Sequence, residues 1–116
     1  MKVYQLENNN GNAWANQFVI RFDTLNIDIL QSYNSLVCLF DYNENHITLG
    51  EDWDYSNTTG RAVNKFFADN GFEGITRAEI RKGLKSGEIV DIYGRAWTIN
   101  EGCADYFADF MKCGGK

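Results

Sequence analysis

Residues 35–50, SLVCLFDYNENHITLG, decide the fold. Leu36 to Phe40 form a continuous apolar run of strand length, the pattern of a central strand covered on both faces. The residues DYNEN then supply a turn, and Ile47 and Leu49 resume at a period of two, so the stretch reads as a β-hairpin at the middle of a sheet.

Upstream, QFVIRFD places Phe18, Ile20 and Phe22 on one side and Gln17, Val19, Arg21 and Asp23 on the other, a half-buried strand. VYQL reads as a short edge strand before it, and LNIDIL as a further strand with less clean alternation. Downstream, Ser56, Asn57, Thr58 and Thr59 are capping types, and RAVNKFFADNG puts Ala62, Val63, Phe66 and Phe67 at helical spacing. The pattern predicts a helix of about three turns over 59–69.

A second helix is announced in TRAEIRKGLKSG, where Thr76 and Glu79 have the spacing of a capping box and Ile80 and Leu84 face the core. Gly83 interrupts it at a cost of about 1 kcal/mol relative to Ala, and Gly87 stops it. EIVDIYGRAWTIN reads as a second hairpin turning at Tyr93, Gly94 and Arg95, with Ile92 near Trp97. CADYFADFMKC, with Tyr106, Phe107 and Phe110, reads as a short terminal helix. The predicted fold is α+β: one domain over 1–116, a mostly antiparallel sheet of about four to six strands, and two to three helices packed on it.

At 116 residues the chain is long enough to bury roughly two-thirds of its unfolded surface. Its 44% hydrophobic and 15% aromatic content excludes a disordered chain. No apolar run approaches the roughly 18 residues of a membrane span, and MKVYQLENNN has no apolar stretch like the core of a signal peptide. The expectation is a cytoplasmic protein. Cys38, Cys103 and Cys113 form no CxxC pair and are expected as reduced structural thiols.

The net charge of −5 conceals an uneven distribution. From Phe22 to Gly60 there are seven acids and no Lys or Arg; from Arg61 to Arg95 there are seven basic residues against five acids. The acidic half contains EDWDY, residues 51–55, where exposed aromatics among carboxylates would suit a basic partner surface. Glu51, Asp52, Trp53, Asp54 and Tyr55, supported by Asp41 and Glu44, are therefore the candidate partner-binding residues. In the basic half, Arg77, Arg81 and Lys85 recur every four residues with Lys82 adjacent, a stripe able to meet nucleic-acid phosphates or to serve as the solvated side of the helix.

Signals for catalysis and metal binding are poor. His46 is alone, at a hairpin turn with no nucleophile that sequence nominates. Asp41, Asn43, Asn45 and Asp52 fall at calcium-loop spacing, but His46 stands where that loop needs a Gly and strands flank it instead of helices. No catalytic residue, metal or cofactor is expected.

Two stretches carry a family resemblance. A hydrophobic strand, a turn, a strand ending in Leu49-Gly50, then Trp53-Asp54-Tyr55-Ser56 with Thr58-Thr59 and a helix with paired Phe66-Phe67, resembles small uncharacterised proteins of phages and plasmids in Gram-positive bacteria. TRAEIRKGLKSGEI is similar to their later helix followed by Gly-Glu and a strand. The likeness spans roughly residues 33 to 90, and Asp52 to Thr59 is its distinctive part. It implies a mobile-element accessory protein, not an enzyme class, and brings no established catalytic residues to carry over. Small acidic proteins of such elements include inhibitors of CRISPR nucleases, some of which occupy the basic surface meant for nucleic acid.

The leading expectation is thus a non-enzymatic protein that binds and inhibits a host nucleic-acid-handling defence protein, such as a CRISPR-Cas effector, through the acidic half. The alternative is a small nucleic-acid-binding regulator using the helix over 76–86.

Overall fold

The structure, a computed structural model, describes residues 1–8 and 10–102. The expected terminal helix with Tyr106, Phe107 and Phe110, and the thiols Cys103 and Cys113, lie outside the described residues.

Among the described residues, seven strands and two helices follow in the order β1 (Lys2–Glu7), β2 (Ala13–Phe22), β3 (Ile27–Ser32), β4 (Ser35–Asp41), β5 (His46–Gly50), α1 (Asn57–Asp69), α2 (Arg77–Ser86), β6 (Glu88–Val90) and β7 (Ala96–Gly102). The strands form one sheet in the order β1-β2-β3-β4-β5-β7-β6, with β4 at its centre. The 35–50 hairpin forms in the register Asp41 opposite His46 and Cys38 opposite Leu49. The α+β class holds, with more strands than the four to six read from the sequence.

The extra complexity lies at β5 and β7, which pair in parallel. Because α1 and α2 intervene, the chain re-enters the sheet from the same end as β5, which a tight turn never achieves. The last hairpin also has its own register: Ile89 faces Trp97, and Ile92 is exposed, not the Trp97 neighbour expected from the sequence.

Phe40 explains why α1 sits where it does. Its ring lies edge-on to Phe66 at 5.2 Å, Phe67 at 5.1 Å and Trp97 at 5.5 Å, so one β4 side chain ties α1 to the sheet and packs against β7 as well. Leu39, the next residue back, points to the opposite face and packs with Ile20, Phe22, Ile27 and Ile29. Both faces of β4 are therefore buried, as its unbroken apolar run demands.

Helix ends follow their residues. Ser56 caps α1 by accepting from the Thr59 N–H, which starts the helix two residues before the predicted position. Thr76 and Glu79 close the capping box of α2, and Gly87 ends it at φ 83°. No described helix is long and apolar enough to cross a membrane.

Candidate functional site

The loop 51–56 leaves β5, turns twice and enters α1. Trp53 N–H donates to Gly50 C=O and Tyr55 N–H donates to Asp52 C=O, each at 3.1 Å, so successive side chains leave the loop in different directions. Glu51 and Asp52 are exposed. Trp53 turns into the main core and is only 4% exposed. Tyr55 stands out at 82% exposure. The expected pair of exposed rings is thus one anchor and one outward ring.

Asp54 leads neither inward nor outward but sideways, to α2. Arg77 Nη1 donates to its Oδ1 at 3.1 Å, and Arg81 Nη2 donates to its Oδ2. Arg81 also lies over the Trp53 ring at 5.7 Å. Gly60 makes room for this arrangement, since a Cβ there would stand 2.8 Å from Arg77 Nη1. Partial burial pushes the Asp54 carboxyl up, but the hydrogen bonds and charges of Arg77 and Arg81 prevail and hold it below the ordinary carboxylate value.

This joins the two candidate sites into one structural unit. Asp54 is removed from any free acidic surface, and Arg77 and Arg81 are removed from any free basic stripe. Among the described residues, Lys82 and Lys85 are the cations of that stripe that remain without a carboxylate partner.

The rest of the acidic half is likewise thinned. Arg21, one residue upstream of the cation-free tract, pairs with Asp23 and Asp28. Tyr42 Oη donates to Asp28 Oδ2 at 2.8 Å, and burial, reinforced by the Asp28 charge, pushes that phenol far up. Asp41 accepts from the Asn43 and Glu44 N–H groups, holding its own turn. Asp41 and Glu44 also lie at the opposite end of β5 from Glu51 and Asp52, about 14 Å of strand away. They do not extend the 51–55 surface.

His46 opens β5 half-buried, with Nδ1 against Thr98 Oγ1 and Nε2 at 3.0 Å from Asn100 Oδ1, instead of standing free in the turn. Among the described residues no three His, Cys, Asp or Glu side chains gather as metal ligands would. Cys38 is fully buried, which pushes its thiol well up, as expected of a structural thiol.

One contributor to the outward surface carries no chemical signature in the sequence. Tyr33, in the β3–β4 turn, is 49% exposed, and with Tyr55 and Asp52 it borders a cleft of about 280 Å³. The cleft floor includes Ser32 and Thr59, whose hydroxyls lie 2.9 Å apart. Only the pairing of distant elements brings these residues together.

Residues 1–82 match a family of unknown function, DUF8033. The chain belongs to that family. Comparison with curated proteins and with solved structures finds no match. The match takes in β1 to β5, α1, the 51–56 loop, and both arginines that hold Asp54.

Proposed function

We propose that this DUF8033 chain is a non-enzymatic binding protein of a phage or plasmid. It would act in the bacterial cytoplasm by covering a basic surface on a nucleic-acid-handling host defence protein, such as a CRISPR-Cas effector. The working surface is the outward half of the loop, Glu51, Asp52 and Tyr55, with Tyr33 beside it.

The observation that carries the reading is Tyr55, 82% exposed near two carboxylates that have no Lys or Arg partner among the described residues, on a loop pinned at Trp53 and Asp54. A large aromatic displayed to water stabilises nothing in the monomer, whereas at an interface it is a typical anchor. Trp53 in the core and Asp54 between two arginines fix the loop in advance, which lowers the ordering cost of association. Carboxylates beside the ring match a phosphate-binding surface in charge and speed encounter with it.

The alternative, direct nucleic-acid binding through α2, retains only Lys82 and Lys85, with Glu79 and Glu88 nearby in the chain. Its signature would be affinity that falls steeply with salt.

A purified RNA-guided nuclease provides the test, with its binding to target DNA followed by mobility shift as this protein is added. Wild type should block DNA binding, and the double variant Glu51→Lys/Asp52→Lys should need at least about tenfold more protein, a loss of about 1.4 kcal/mol. Its melting temperature should not change. Equal inhibition by both proteins, or none by wild type, sinks the reading. Asp54 is unsuitable for charge reversal, because a cation there would face Arg77 and Arg81.

A further inference from the structure

We infer that the cleft between Tyr33 and Tyr55 is a receptor for one arginine side chain of a protein partner. The inference rests on the reading of the 51–55 loop as a binding surface and names what that surface recognises.

Four observations support it. The cleft volume, about 280 Å³, is below the roughly 300–1,000 Å³ of small-molecule sites and fits a single inserted side chain. Its rim carries two exposed tyrosine rings, and among the described residues its only ionisable group besides their phenols is the Asp52 carboxylate. Asp52, unlike Asp54, has no Arg or Lys partner among the described residues. A guanidinium stacks on aromatic faces and pairs with a carboxylate in one plane, so rings, carboxylate and floor hydroxyls together match it better than a compact ammonium.

The fourth observation is backbone conformation. Among the described residues, four that are not glycine have positive φ: Asn16, Asn26, Asn45 and Tyr33, the last at 56°. Asn enters the left-handed region readily, whereas a bulky ring does so only under strain. The Asn26 and Asn45 turns use the relaxed residue, Asn16 does so within β2, and the turn bordering the cleft does not. Strain retained at one turn is explained when its side chain is needed there.

A dipole opposes this assignment. The amino end of α1 begins at Ser56 beside the cleft and carries a partial positive charge. Ser56 already engages the Thr59 N–H, and Asp52 offers a full negative charge against that fractional one.

The probe is N-acetyl-arginine amide, titrated into the full chain and followed by amide NMR shifts, with N-acetyl-citrulline amide as the uncharged isostere and the lysine amide as the compact cation. Saturable shifts confined to residues 33–35 and 52–59 are expected with the arginine amide, with affinity on the order of millimolar. They should be weaker with lysine and absent with citrulline. Asp52→Asn and Tyr55→Ala should each weaken binding at least about fivefold. Tyr33→Asn should lose binding similarly while melting no lower than wild type, a pattern that a purely structural tyrosine would not give.

Equal shifts with citrulline, no saturable shifts, or unchanged affinity in Tyr33→Asn would overturn the inference. Arginine-amide binding alongside undiminished nuclease inhibition by Glu51→Lys/Asp52→Lys would keep the receptor and reject the inhibitor reading. Loss of inhibition in that variant without arginine-amide binding would do the reverse.

Discussion

Two aspartates hold two loops in place by different means. Asp91, at the β6–β7 turn, takes its partners from its own hairpin: the Tyr93 and Arg95 N–H groups, Arg95 Nε and Trp97 Nε1, all at 2.9–3.0 Å. Asp54 takes its partners from α2, across 23 and 27 residues of chain. Asp91 never resembled a site, because it stands alone in a turn. Asp54 resembled one because it lies among other acids, yet it is equally structural. Acids adjacent in sequence need not share a surface, and in loop 51–55 Glu51 and Asp52 face outward while Asp54 turns sideways to α2.

Breaking the anchor of the second loop should have the largest effect. Trp53→Ala should cost about 3–5 kcal/mol, since it empties a core position and removes the ring beneath Arg81. Tyr55→Ala, two residues on, should remain within about 0.5 kcal/mol of wild type. Chemical denaturation of both variants checks this, and similar losses would contradict the inward and outward assignment.

Acid titration sharpens the comparison. Burial pushes the Asp91 carboxyl up, but hydrogen bonds from Trp97, the turn amides and Arg95 outweigh it and bring it down to about 2. A carboxyl held below its unfolded value of about 3.9 stabilises the fold above that pH, and the contribution is lost as pH falls through the folded value. The melting temperature should therefore drop between about pH 4 and about pH 2, with Asp54 adding to the same limb. Asp91→Asn should begin less stable and show a shallower acid limb, measured by thermal melts across that window. An unchanged slope would mean that Asp91 is not the titrating group.

The fold was largely legible because its signals are local. The Leu36 to Phe40 run, the Ser56 cap and the Thr76–Glu79 box each act within a few residues, and each forms in the structure. The parallel β5–β7 pairing was not legible, because it depends on the chain passing through two helices before re-entering the sheet. The candidate site was half legible for the same reason. Glu51, Asp52 and Tyr55 are exposed at the surface as expected of a binding loop. Asp54 and the arginines looked like two opposed sites until the long-range pairing joined them, and Tyr33 reaches the cleft through a strand turn that no motif marks. Arg21 taught the same lesson at smaller scale, neutralising acids in a tract that began one residue after it.

The measurement that tests the account most directly compares Asp54→Asn with Asp52→Asn by urea denaturation at neutral pH. Both changes remove one negative charge from the same loop. Asp54, with its side chain 23% exposed, should lose about 1–2 kcal/mol when its two charged hydrogen bonds weaken. Asp52→Asn should change stability by less than about 0.5 kcal/mol. Equal midpoints for the two variants, or a larger loss at Asp52, would contradict the division of this loop into a structural half and an exposed half.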